Sequence, residues 1–225
     1  MKTIATTLFH RVLMPEGHPA GPHPLLVLVH GRGADEEDLL GLAPAFDPRL
    51  IVLSVRAPLP WEGGGYTWYA LGGPVGQPEH GSFTASFRAL DRCIRDAVGG
   101  YPVDPSRVFL FGFSMGAVMS LAMALTAPEM FRGVVAHSGY VPEGVPLPFR
   151  WGDPEVPPIF LAHGTVDQVI PVAMARHARK LLDGPHARLT YREYPIGHGI
   201  SDDGAADVRE WMRGLLDHEP PAEHP

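Results

Sequence analysis

Val108-Phe109-Leu110-Phe111-Gly112-Phe113-Ser114-Met115-Gly116-Ala117 decides how this chain is read. Four large apolar residues in a row predict a strand buried on both faces. The stretch Ala117–Leu125 that follows is rich in helix formers. Between them stands Gly112-x-Ser114-x-Gly116, so the motif occupies a sharp strand-to-helix turn. Such a turn lifts a serine hydroxyl clear of the sheet, and side chains at the two glycine positions would collide with the neighbouring helix and strand. An ordinary glycine-rich turn is the plain alternative. The strand before and the helix after favour a serine nucleophile.

Similar apolar runs recur at Leu25–Val29, Leu50–Val55, Gly133–Ala136, Ile159–Ala162 and Leu189–Tyr194. Amphipathic stretches separate them. Phe83, Phe87, Leu90, Ile94 and Val98 predict a helix from Ser82, with that serine as its cap, to about Val98. Pro171 opens another, ending at Gly184-Pro185, and Val208, Trp211, Met212, Leu215 and Leu216 mark a closing one. This alternation predicts an α/β fold, a mostly parallel central sheet with helices on both faces. Residues 1–217 read as a single domain, opening on a strand within Met1–Pro15, and 218–225 as a flexible Pro-rich tail.

Composition narrows the function. The 225 residues are 45% apolar and 19% charged, ordinary for one globular domain that buries roughly 70% of its unfolded surface. No run approaches the ~18 apolar residues of a membrane span, and the start lacks the apolar core of a signal peptide. A net charge of −7 gives no pull toward nucleic acid or anionic lipid, so neither partner is expected. A single cysteine, Cys93, cannot form an internal disulfide, which suits a cytoplasmic protein.

A serine hydroxyl needs a base to take its proton, and histidine is the suitable side chain. In hydrolases built on this turn the order is Ser, acid, His. His198, in Gly197-His198-Gly199 after the last strand run, is the candidate base; His163 and His137 end earlier strands. Asp167, in the loop after Ile159–Ala162, is the candidate acid. Asp202 and Asp203 are its rivals, read here as caps of the last helix. Backbone N–H groups for a developing oxyanion would come from Met115 and from His30-Gly31-Arg32-Gly33, with Arg32 the donor there. That loop matches neither phosphate-binding glycine pattern, and the absence of H-E-x-x-H and of paired C-x-x-C argues against a metal.

Two segments break the alternation. Arg56–Gly81 holds 7 Gly, 4 Pro and four of the ten Trp and Tyr residues: Trp61, Tyr66, Trp68 and Tyr69. Gly139–Pro158 carries 6 Pro with Tyr140, Phe149 and Trp151. These aromatics either cover the sheet ends or wall a substrate cleft at its C-terminal edge, with Trp61, Trp68, Tyr69 and Tyr140 the pocket candidates.

Taken together, L-V-H-G-R-G-A-D at 28–35, G-F-S-M-G-A at 112–117, S-G-Y at 138–140, H-G-T-V-D-Q-V-I-P at 163–171 and G-H-G-I at 197–200 resemble the phospholipase/carboxylesterase branch of the α/β hydrolases, which includes the acyl-protein thioesterases. The resemblance implies an α/β-hydrolase fold, a Ser114–Asp167–His198 triad, backbone donors from Arg32 and Met115, and cofactor-free hydrolysis of esters or thioesters. Many members are dimers, so a homodimer is one assembly open to this chain. Arg32 stands where leucine is common and Met115 where glutamine is common. Gly139–Pro158 is too short for a helical cap domain, so an open cleft for small-molecule esters of short to medium acyl chains is expected. An Arg32 side chain on its border would favour an acidic substrate. A thioesterase or lysophospholipase is the alternative, and an inactive binding module of the same fold the third reading.

Overall fold

A computed structural model describes residues 3–15, 17 and 21–218. Its main sheet has seven strands in the order β1-β3-β2-β6-β7-β8-β9. These are β1 (His10–Leu13), β2 (His23–Val29), β3 (Ile51–Val55), β6 (Val103–Phe113), β7 (Gly133–His137), β8 (Ile159–Gly164) and β9 (Leu189–Tyr194). Only β1 runs antiparallel, against β3; every other pairing is parallel. Strand pairing thus starts at His10, later than the sequence suggests. The tail's residues 219–225 lie outside the described residues.

The strands are apolar without alternation because both faces are covered. On β2, Leu25, Val27 and Val29 enter one core with Phe83, Leu90, Val118 and Leu121, while Leu26 and Leu28 enter another with Val208, Met212 and Leu216. Helices α1 (His80–Gly100), α2 (Met115–Thr126) and α3 (Val172–Leu182) contribute to the first core. α4 (Asp202–Asp217) and the 3₁₀ turn Asp38–Ala45 contribute to the second. α2 is buried from Met115 to Leu125, which explains why its sequence carries no polar stripe.

Helix starts depart from expectation in two places. Glu79, not Ser82, caps α1, its carboxylate accepting the Gly81 and Ser82 N–H groups, both at 2.7 Å. Ser201, not Asp202 or Asp203, caps α4 by accepting the Gly204 N–H at 3.0 Å; the two aspartates sit in the first turn. There the negative charge meets the positive end of the helix dipole, a favourable place that needs no capping bond.

Between β7 and β8 the chain from 138 to 158 forms no helix, so no helical cap covers the sheet edge. The 56–81 segment is not structureless. It holds a two-stranded hairpin, β4 (Leu59–Pro60) with β5 (Tyr66–Thr67), which docks on the loop after β2 through Gly33 N–H to Tyr66 O and Tyr66 N–H to Ala34 O.

Candidate active site

The turn from β6 into α2 is tight. Ser114 adopts φ 54° and ψ −120°, a backbone state that costs a non-glycine residue about 1–3 kcal/mol and persists only where the surroundings enforce it. The flanking glycines make room. A Cβ on Gly112 would overlap Gly116 O, and one on Gly116 would overlap Val29 O and lie 2.7 Å from His30 O. The start of α2 therefore packs directly on the end of β2, and Gly31 approaches Ser114 so closely that an added Cβ would stand 3.2 Å from the serine Cβ.

Asp167 lies in the loop after β8, four residues beyond His163. Its Oδ1 accepts the N–H groups of Val169 at 2.8 Å and Ile170 at 2.9 Å. Its Oδ2 accepts from His198 Nδ1 at 2.7 Å. Burial pushes this carboxyl up, but the His198 and backbone hydrogen bonds outweigh it and hold the group below the usual aspartate value. Because a carboxylate can only accept, His198 carries its proton on Nδ1, which leaves Nε2 as an acceptor. That nitrogen stands 2.9 Å from Ser114 Oγ. Gly164 lets the loop after β9 come near: a Cβ there would overlap the Ile196 and Gly197 carbonyls. Phe113 packs on the imidazole, with ring centroids 5.0 Å apart.

The rival histidines lie behind this chain of contacts. His163 is fully buried, donates from Nε2 to Ile170 O at 2.8 Å, and lies 3.3 Å from Asp167 Oδ2. His137 is also buried, stacked on Tyr194 at 6.2 Å, with Nδ1 3.0 Å from Ser138 Oγ. Burial, then the neighbouring His163 and His198, hold it down at about 4, so it stays neutral.

Met115 is the first residue of α2, so its N–H has no acceptor within the helix. The Arg32 N–H finds no protein acceptor among the described residues. Thr67, which the sequence does not single out, reaches Met115 Sδ from its hydroxyl at 3.2 Å.

The pocket candidates divide. Trp61, 40% exposed, and Tyr69 line a cavity of about 470 Å³ with Arg32, Glu62, Thr67 and Leu71. Tyr140 lines a second cavity of about 300 Å³ with Gly76, Met174 and His177. Tyr69 and Tyr140, both largely buried, meet hydroxyl to hydroxyl at 3.3 Å. Trp68 lines neither cavity and is a correction to the sequence reading. It is fully buried, and its indole N–H donates to His30 O at 2.8 Å, so it braces the loop after β2 from inside.

The α/β hydrolases are the class in which a serine, an acid and a histidine, in that chain order, meet at the C-terminal edge of such a sheet, and the fold places this protein among them. Residues 15–216 match the phospholipase/carboxylesterase family. Acyl-protein thioesterase 1 of Debaryomyces hansenii is 26% identical over 157 residues, which span 68% of this chain and 67% of that protein. The crystal structure of esterase PE8 superposes with a TM-score of 0.78 at 27% identity, covering 93% of this chain and 99% of the other. The Bacillus cereus carboxylesterase shares the fold with a TM-score of 0.79 at 24% identity, over 92% and 94% of the two chains. The chain belongs to the phospholipase/carboxylesterase family and is an ester hydrolase.

Proposed function

We propose that this protein cleaves carboxylic esters of short to medium acyl chains through an acyl-enzyme on Ser114. The observation that carries the reading is the continuous contact Ser114 Oγ–His198 Nε2, 2.9 Å, and His198 Nδ1–Asp167 Oδ2, 2.7 Å. His198 Nε2 takes the Ser114 proton as Oγ bonds to the ester carbonyl carbon. Asp167 holds the tautomer and stabilises the imidazolium that forms. The negative oxygen of the tetrahedral intermediate faces the Arg32 and Met115 N–H groups, each such donor lowering the barrier by about 3–4 kcal/mol. Collapse expels the alcohol, which leaves with the proton from His198. Water then repeats the sequence, its proton going to His198 and back to Ser114 as the acid departs.

Two cavities of about 470 and 300 Å³ and an uncapped sheet edge support small, compact acyl groups over long lipids. A thioesterase reading is favoured by the likeness to acyl-protein thioesterase 1 and would use the same residues. The test is a fluorophosphonate probe followed by mass spectrometry. An adduct on Ser114, absent from a folded Ser114→Ala variant, supports the mechanism, and no labelling of folded wild type overturns it. Comparing kcat/KM for aryl ester, thioester and lysolipid substrates then separates the two readings.

A further inference from the structure

Arg32 differs from its neighbours. Arg11 is held by Glu37 at 2.6 Å, and Arg56 by the two oxygens of Glu36 at 2.5 and 2.6 Å. Arg32 makes no hydrogen bond or ion pair among the described residues, although Asp35, Glu36, Glu37 and Asp38 follow it closely in sequence. Its guanidinium carbon lies instead 5.3 Å from the ring centroid of Trp61. That contact places the cation over the indole, and with no hydrogen-bond partner its N–H groups are free for a planar acceptor.

The platform beneath it is built by the backbone. A Cβ on Gly33, whose φ is +82°, would lie 2.8 Å from the Trp61 ring, and one on Gly63 would overlap that ring, so both positions leave the space the indole occupies. The Trp61 backbone is fixed by its N–H donating to Gly65 O at 3.0 Å and by its carbonyl accepting from the Gly64 N–H at 2.9 Å. Arg32 is thus pre-positioned, which reduces the entropy lost when its fork closes on an anion.

The position matters because Arg32 follows Gly31, which packs against Ser114, and shares the cavity of about 470 Å³ with Thr67, the residue touching Met115. The other lining groups are Leu59, Pro60, Tyr69, Ala70 and Leu71, with Glu62 the single acidic member, unpaired with Arg32. The geometry points to a carboxylate-binding subsite. An apolar arm of the substrate runs along Leu59 and Leu71, and a terminal carboxylate accepts two N–H bonds from Arg32 on its Trp61 platform. The substrate class is therefore an ester with a second, ionised carboxyl group on one arm. This inference rests on Ser114 as the nucleophile.

The experiment uses matched pairs. Monomethyl adipate and methyl hexanoate differ by a carboxylate on the acyl arm, and 6-acetoxyhexanoate and hexyl acetate by one on the alcohol arm. In wild type, kcat/KM for the charged member of one pair should exceed that for the neutral member about tenfold, and the preference should shrink as salt is raised. In Arg32→Ala the ratio should fall to about one, and in Arg32→Lys to an intermediate value, because the charge remains and the fork is lost. Reading a ratio within each variant removes any change common to both esters. A second arm measures binding of monomethyl adipate and 6-acetoxyhexanoate to Ser114→Ala protein by NMR titration, with and without Arg32→Ala. Weaker binding of one of them, by about the same factor, is expected. Unchanged ratios in both pairs, together with unchanged affinities, overturn the subsite. Failure of wild type to hydrolyse any of the four esters overturns the esterase reading instead, and the binding arm still decides the subsite.

Discussion

His198 Nε2 and Ser114 Oγ stand 2.9 Å apart although 84 residues separate them in the chain. The contact is made across the C-terminal edge of the sheet, between the turn after β6 and the loop after β9, with Asp167 from the loop after β8 completing it. Each parallel strand delivers its exit loop to the same edge, so residues far apart in sequence converge without a long connection.

Replacing Asp167 by asparagine tests the electrostatic part of this arrangement without dismantling it. An asparagine oxygen can still accept from Val169 and Ile170, so the loop should keep its shape. The negative charge facing His198 is lost, and the amide can force the wrong imidazole tautomer. The expected result is a fall in kcat of roughly 10³–10⁴-fold. Steady-state kinetics beside an unchanged circular-dichroism spectrum would check it, and retention of most activity would remove Asp167 from the mechanism.

Gly116 tests the packing of the turn. An alanine there would drive its Cβ into Val29 O and toward His30 O, which are backbone atoms that cannot swing aside. Gly116→Ala should cost about 3 kcal/mol or more, or abolish folding. Gly214 is the control: it lies exposed in α4 with nothing within 4 Å of an added Cβ. Gly214→Ala should stabilise by about 0.5–1 kcal/mol. Urea midpoints of the two variants should move in opposite directions.

The turn, the sheet and the meeting of Ser114, Asp167 and His198 were legible because each leaves a mark in the sequence: glycines where a Cβ would overlap backbone, unbroken apolar runs where both faces are covered, and loops after parallel strands that are delivered to one edge. The α1 cap was not, because Ser82 is the expected capping type, whereas Glu79 happens to reach two N–H groups. Nor was the role of Trp68, since sequence gives an indole its size but not its direction. That direction is set by His30 O, 38 residues away. The β4–β5 hairpin, two residues a side, is too short to show any period.

Trp68→Phe follows from that correction. The ring volume is largely kept, but His30 O loses its buried donor at 2.8 Å. An unpaired buried carbonyl costs about 1–3 kcal/mol, so the urea midpoint should fall accordingly. A midpoint within error of wild type would return Trp68 to the status of a replaceable packing residue.

Acid sensitivity provides the last prediction. His137 is held at about 4 by burial first, then by the charges His163 and His198 would carry, with Asp167 acting in the opposite sense. Burial is likewise the leading cause that lowers His10, His30 and His163. In the unfolded chain these groups return to 6.5. Between that value and about 4 the unfolded state binds protons that the folded state refuses, so stability must fall as the pH drops through this window. A histidine that stays neutral when folded contributes up to about 1.4 kcal/mol per pH unit to the slope. The ionised carboxyl of Asp167, held low, adds to the loss once the pH falls below the unfolded aspartate value near 4. Its effect therefore lies mostly beneath the histidine window. His137→Asn keeps a polar contact for Ser138 and removes one titrating group. Its unfolding free energy from urea titrations between pH 6.5 and 4.5 should decline less steeply than that of wild type, whatever its absolute value. Parallel slopes would mean that His137 is protonated in the folded protein and that its stacking on Tyr194 does not exclude charge.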